Sequence, residues 1–285
     1  MKTIRTFSTS ANLGPGFDAF GICFDLYNDY SFEISNEYKI IGFDEKYTLP
    51  ENNLIIKAYE KVFEYLNKKV IYITLKQKEQ NIPTSRGLGS SASCIVTGVM
   101  IANEVLDSPL SKDEVFQLAS SIEGHPDNVA PLIYGGFTCS FKDDIYYKIQ
   151  LDVSDNLEFM VCIPPFELST ALARSVLPKE IAIKDAVFNL SHAVAMVKAI
   201  ELGDMNLLKQ GKKDLIHEPY RYPLIKDSNI VIDYANENNL VCMISGAGST
   251  LLLVGNNIND NIDLIKDWKF IKVKVNNKGA YSYDE

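Results

Sequence analysis

I-P-T-S-R-G-L-G-S-S-A-S-C-I-V-T-G-V-M-I-A-N-E-V-L, residues Ile82 to Leu106, sets a glycine-rich turn directly ahead of an apolar run whose only helix breaker is Gly98. A helix that starts here leaves its first four N–H groups without intrahelical partners. Those donors, with the positive end of the helix dipole, form a seat for an anion. Gly87 and Gly89 let the backbone approach phosphate oxygens closely, and the hydroxyls of Ser90 and Ser91 add donors and a candidate magnesium ligand. The stretch therefore reads as a phosphate-binding loop, most simply for a nucleotide. It is not a Walker A loop, because no Gly-Lys-Ser/Thr follows. Gly87 to Ala92 does fit G-x-G-x-x-A. A dinucleotide fold, however, wants a strand running into the first glycine and an acidic residue ending a second strand. Here Pro83, Thr84, Ser85 and Arg86 intervene, and Glu104 and Asp107 close the same helical run. The plainer alternative is a glycine turn capping a core helix, with no ligand.

Upstream of the loop, Val70–Leu75 alternates like a strand, and Asn53–Lys68 carries one apolar helical face. Residues 21–42 are β-like, and residues 2–9 suit an opening strand. Between these two lies Ser10-Ala11-Asn12-Leu13-Gly14-Pro15-Gly16-Phe17-Asp18, a loop by its Gly-Pro-Gly, with Asn12 and Asp18 either aimed at a ligand or acting as local caps. Downstream, Ser111 and Glu114 form a capping-box pattern. The helix it opens ends in Glu123-Gly124-His125-Pro126-Asp127-Asn128, a helix junction that also offers a carboxylate to a magnesium ion, which takes few protein ligands beside phosphates and water.

The second half begins near Leu151–Asn156, the best candidate domain boundary. Strands are expected at Glu158–Ile163, Leu240–Ser245, Thr250–Val254 and Phe270–Val275. Helices are expected from Ser169, over Glu180–Leu202 and Asp204–Gln210, and at Asn259–Trp268. The class is α+β, two packed sheet-and-helix units, 1–153 and 154–285.

Composition narrows the partners. A net charge of −9 without basic blocks argues against nucleic acid or an anionic membrane. No run approaches the roughly 20 apolar residues of a membrane span, and no signal peptide is recognised. Five scattered cysteines and three histidines, without C-x-x-C or H-E-x-x-H, suit reduced thiols in a cytoplasmic protein and no zinc centre.

Three clusters, Ser10–Asp18, Pro83–Ser93 and Ser245–Thr250, resemble in order and spacing the three motifs of the GHMP kinases. Within that family S-A-N-L-G-P-G-F-D and E-G-H-P-D-N-V-A-P are similar to the homoserine kinases, as are Leu168–Pro178 and Pro219–Leu224. The resemblance implies a ribosomal-protein-like N-terminal domain beside a ferredoxin-like C-terminal domain. It implies that MgATP phosphorylates the side-chain hydroxyl of L-homoserine, a step toward threonine. It implies that Pro83, Thr84, Ser85, Arg86, Gly87, Leu88, Gly89, Ser90, Ser91, Ala92 and Ser93 wrap the ATP phosphates, with Ser90 or Ser91 and Glu123 on magnesium. Asn12, Asp18, His125, Asn128, Thr170, Arg174 and Arg221 would surround homoserine, whose carboxylate suits arginine and whose ammonium suits Asp18. Asn12, Asp18 and Asn128 would then do the catalytic work, chiefly by positioning, since Asn128 cannot serve as a base. A homodimer is left open. Mevalonate kinases would carry a lysine in the first motif, where Gly14-Pro15-Gly16 stands. A non-catalytic relative would show degraded loops, whereas Gly87, Gly89, Ser90, Ser91 and Glu123 are all present.

Overall fold

Alternation over Lys2–Ala11 builds β1, and the aromatic-rich stretch after the first loop becomes a 15-residue strand, β2 (Phe20–Ile34), followed by the short β3 (Lys39–Ile41). The fold is described by a computed structural model covering residues 1–284. Asn53 caps α1 (Leu54–Tyr65), its Oδ1 accepting from the Ile55 and Ile56 amides at 3.0 and 3.3 Å. The strand expected at Val70–Leu75 lies later, as β4 (Ile73–Gln80), because pairing along the long β2 extends to Asn28 opposite Gln80. The phosphate-loop helix is α2 (Ser90–Val105). The capping box opens α3 (Lys112–Glu123), with both of its reciprocal hydrogen bonds present, and α4 (Val129–Tyr134) follows. The hairpin of β5 (Phe137–Lys142) and β6 (Tyr146–Leu151) completes this half.

The second half runs β7 (Glu158–Ile163), α5 (Thr170–Ser175), α6 (Ile183–Leu202), α7 (Met205–Gly211), α8 (Glu218–Arg221), α9 (Ser228–Glu237), β8 (Val241–Ile244), β9 (Leu251–Gly255) and β10 (Lys269–Val273). These four strands pair antiparallel in the order β10-β7-β9-β8. Fourth, first, third, second is the ferredoxin-like arrangement that the family resemblance implied. One expected helix is absent. At Asn259–Trp268 the Asn259 side chain accepts from the Asn261 amide at 3.0 Å, and Glu158 takes the Ile258 amide at 2.7 Å. The segment covers the sheet edge all the same, burying Ile258, Ile262 and Trp268.

The last strand, β11 (Tyr281–Asp284), crosses back and pairs antiparallel with β1. A boundary at residue 153 falls between the two sheets, but assigning all of 154–285 to the second unit does not describe this strand. The first sheet has seven strands, β11-β1-β2-β4-β3 with β5 and β6 branching from β2. One hydrophobic cluster lies between its face and α1–α4; another, with Leu13, Phe24, Leu88 and Phe137 against Phe159, Val161 and Met243, joins the halves. Gly98 allows α2 to lie against α1: a Cβ there would stand 2.2 Å from the Ile55 carbonyl oxygen.

Candidate active site

The loop at 83–89 is clasped from three sides. Thr9 of β1 donates its amide to the Leu88 carbonyl at 3.2 Å, Leu168 donates to Ser85 at 3.1 Å, and the Ser245 hydroxyl donates to the Gly87 carbonyl at 2.6 Å. Gly87 has φ +75°, and a Cβ on it would meet the Ser245 carbonyl oxygen at 2.1 Å and that of Gly248 at 2.7 Å. Ser245–Thr250 is thus the brace that presses the loop into shape. Leu88 is wholly buried in the shared core, which fixes the loop's height above the sheet. Gly89, left-handed at φ 71°, is the N-cap of α2 and offers no side chain to its amides. The first turn of α2 therefore faces the cleft with donors uncapped, the condition for anion binding.

Beside this turn the Ser91 hydroxyl donates to Glu123 Oε2 at 2.8 Å. Burial raises the Glu123 carboxyl above its ordinary pKa, with the Ser91 hydrogen bond and His125 acting against that rise. One carboxylate and one hydroxyl at the mouth of an uncapped helix fit magnesium, whose other ligands are phosphate oxygens and water. Next, His125 Nδ1 lies 2.9 Å from Asp127 Oδ1, and this contact raises the imidazole pKa. Asn128 Oδ1 accepts from the Thr9 hydroxyl at 2.8 Å, and its amide nitrogen donates a long hydrogen bond to Asp127 Oδ1 at 3.5 Å, with its second hydrogen uncommitted.

From the first motif, Asn12 and Asp18 both take positive φ, 56° and 54°, and Asn12 Oδ1 accepts the Asp18 amide at 2.8 Å. Asp18 in turn holds Arg174 by two hydrogen bonds, 3.0 and 2.7 Å, across the two halves of the chain. Arg221 is only 1% exposed, donates to the Ala173 and Gly246 carbonyls at 3.2 and 3.1 Å, and lies 5.0 Å over the Phe17 ring. Burial lowers its pKa to about 10, so it stays cationic at neutral pH. Two arginines separated by 46 positions of chain thus converge, with Phe17 also facing Arg174 at 5.5 Å.

Asn12, Thr84, Ser85, Arg86, Gly87, Gly89, Ser90, Ser91, Glu123, His125, Asn128, Thr170, Arg174 and Arg221 all line one cavity of about 320 Å³. Asp18 stands beside it, bonded to Arg174. Pro83, Leu88, Ala92 and Ser93 do not line it. Ser93 is fully buried and bonds the Thr6 hydroxyl at 2.7 Å, because the helical spacing that puts Ser90 and Ser91 on the cleft turns Ser93 toward the sheet. The Arg86 guanidinium is committed to the Thr84, Pro164 and Pro165 carbonyls, so it stitches the loop to the second half.

Sequence reading did not find the far end of the cavity. There Tyr30 and Phe43 stack at 6.0 Å, and Tyr47, Asn53, Leu54 and Gln77 complete a flat, mixed apolar and amide lining. These residues come from β2, β4, the start of α1 and the loop before it, and carry no motif. It also missed His217, which is fully buried, touches the Gly14 carbonyl at 2.7 Å through Nε2 and lies 3.5 Å from Arg221 through Nδ1. Its one signal was a histidine four residues before an arginine expected in the site.

A phosphate loop braced by a second glycine turn, between a seven-stranded and a ferredoxin-like sheet, defines a GHMP-type kinase, and residues 53–136 match the family model for the GHMP kinases' N-terminal domain. The homoserine kinase of Clostridium beijerinckii is 39% identical, the alignment covering 98% of each chain. Among solved structures, a homoserine kinase from Cytophaga hutchinsonii superposes with a TM-score of 0.86 at 26% identity, over 99% of this chain and 96% of that one. A putative homoserine kinase from Listeria monocytogenes gives 0.83 at 29%, over the whole of both chains. The chain belongs to the homoserine kinase family. Among the described residues no helix is long and apolar enough to cross a membrane.

Proposed function

We propose that this protein transfers the terminal phosphoryl group of ATP to the side-chain hydroxyl of L-homoserine, giving O-phospho-L-homoserine on the route to threonine. The observation that carries the substrate is the convergence of Arg174 and Arg221 beside Asp18 at one end of a cavity whose middle is the uncapped turn of α2. Two guanidinium groups suit a carboxylate, and the outer lone pairs of Asp18, already held by Arg174, suit an ammonium. That arrangement fits an amino acid better than a sugar or an isoprenoid acid. The aromatic and amide-lined end fits the base of the nucleotide.

Ser90, Ser91 and Glu123 would hold magnesium, which when bound neutralises charge on the transferring phosphoryl group. Pro83 to Ser93 would cradle the phosphates through backbone amides, with Thr84, Ser85, Gly87, Gly89, Ser90 and Ser91 nearest. Asn12 and Asn128 would orient the hydroxyl: Asn128 by its amide nitrogen, Asn12 by holding the turn at Asp18. His125, made more basic by Asp127, would keep a proton toward the substrate, and Thr170 would close the pocket at the start of α5. Asp18 is tied to Arg174 and Glu123 to Ser91, so alignment and charge stabilisation carry the rate. The test is ADP release with MgATP and L-homoserine, mevalonate, galactose or no acceptor. Turnover with homoserine alone is expected; turnover with mevalonate or galactose instead would overturn the substrate assignment while leaving the phosphate loop intact.

A further inference from the structure

Behind the two arginines lies a wholly buried imidazole. His217 stands immediately before α8, four residues ahead of Arg221, with its ring stacked on Phe17 at 5.3 Å. Asp214 fixes its backbone: Oδ2 accepts the His217 and Glu218 amides at 2.8 and 2.7 Å, and Oδ1 accepts from the Asn189 side chain of α6. The two ring nitrogens face partners of opposite kind. Nε2 lies 2.7 Å from the Gly14 carbonyl oxygen, which can only accept, so Nε2 carries a hydrogen. Nδ1 lies 3.5 Å from Arg221 Nη1, which can only donate, so Nδ1 presents its lone pair. The imidazole is therefore neutral and held in one tautomer. Burial and the Arg221 charge favour this form against the carboxylates of Asp18 and Asp214, the latter with Oδ2 3.7 Å from Nε2.

This ring decides how much of Arg221 is left for a ligand. Nε donates to the Ala173 carbonyl and Nη1 to that of Gly246. Nη1 has a second hydrogen, and His217 Nδ1 is the acceptor beside it. Among the described residues nothing accepts from Nη2, and Arg221 lines the cavity. The guanidinium is thus held through two nitrogens and offers the third. The same ring ties down Gly14, in the middle of the loop that carries Asn12 and Asp18. One side chain sets the separation between that loop and the guanidinium.

We infer that His217 is a positioning residue, a neutral imidazole that aims Arg221 at the substrate carboxylate and registers it against the Asn12–Asp18 loop. This deepens the homoserine reading and rests on it, since the carboxylate is what Arg221 is held for. The test is steady-state ADP release by the full chain. His217→Gln leaves no acceptor at the Nδ1 position. It should raise KM for homoserine roughly 5- to 10-fold, the loss of one hydrogen bond to a charged group, with kcat and KM for MgATP within about 2-fold. Arg221→Lys should raise the homoserine KM at least about 10-fold. In that background His217→Gln should add less than about 2-fold, because no fork remains to be aimed; a merely structural role would impose its full cost again. Nitrogen NMR of histidine-labelled wild type reads the tautomer without any variant at 217. Its three histidines are told apart by His125→Gln and His192→Gln. His217 should show Nε2–H and an unprotonated Nδ1, and should stay so as pH falls through the ordinary value of 6.5. A cationic ring at neutral pH, or a proton on Nδ1, would overturn the inference. So would an unchanged homoserine KM in His217→Gln, or losses that multiply in the double variant, while Arg221→Lys has its effect. An unchanged homoserine KM in Arg221→Lys would instead overturn the carboxylate reading, and the inference with it.

Discussion

Replacing Gly87 by alanine tests the brace that shapes the phosphate loop. The added Cβ would stand 2.1 Å from the Ser245 carbonyl oxygen and 2.7 Å from that of Gly248. Both neighbours are backbone, so the loop and the brace must part by roughly 1 Å to reach ordinary contact. The left-handed φ of +75° adds about 1–2 kcal/mol of strain to any residue with a Cβ. Gly124 is the matched control: its φ is +93°, but nothing lies within 4 Å of the Cβ it would gain. Gly124→Ala therefore reports strain alone, about 1 kcal/mol of stability. A displacement of about 1 Å in aligned groups costs on the order of 100-fold in rate. The expected result is a fall in kcat/KM for MgATP of about 100-fold in Gly87→Ala and of only a few-fold in Gly124→Ala, read by ADP release, with thermal unfolding measured on both. Activity of Gly87→Ala within about 3-fold of wild type would refute the brace, as would equal losses in the two variants.

Arg174→Ala should raise KM for homoserine by at least about 10-fold, from a charged hydrogen bond worth roughly 1.5–3 kcal/mol, and leave KM for ATP within about 2-fold; an unchanged homoserine KM would remove the carboxylate contact. Burial raises the Glu123 carboxyl, and magnesium binds only its ionised form. Apparent magnesium affinity should therefore climb as pH rises above the ordinary glutamate range, and Glu123→Gln should both weaken it and flatten that dependence in magnesium titrations spanning pH 5 to 8. Burial pushes the Glu218 carboxyl up from 4.5 to about 7. Its native proton stabilises the fold fully below about 4.5, and that contribution, roughly 3 kcal/mol at most, is lost as pH rises to about 7. Glu218→Gln retains an acceptor for the Ile244 amide, bonded at 2.8 Å, so its Tm should fall less than that of wild type between pH 5 and 7.5.

What the sequence made legible was local and dense. The loop announced itself because glycine geometry, helix entry and hydroxyls are contiguous from Gly87 to Ser91, and the capping box at Ser111 is a four-residue code. The arginines needed the family resemblance, since Arg174 and Arg221 meet only when β7 and β8 lie in one sheet. The aromatic end of the cavity stayed hidden because Tyr30, Phe43, Asn53 and Gln77 are brought together by tertiary packing alone. Ser93 came with the loop through the resemblance, and helical phase turns its side chain to the sheet: Ser93 and Thr97, four apart, both turn to Thr6. At Asn259–Trp268 no helix forms, although Ile262 and Trp268 are buried.

The most direct test is to identify the product. The protein, MgATP and L-homoserine should yield a phosphomonoester on the side-chain oxygen, seen by phosphorus NMR and mass spectrometry, with the carboxylate free in the grip of Arg174 and Arg221. Phosphate on the carboxylate, or inorganic phosphate released without phosphohomoserine, would contradict the orientation on which the account rests.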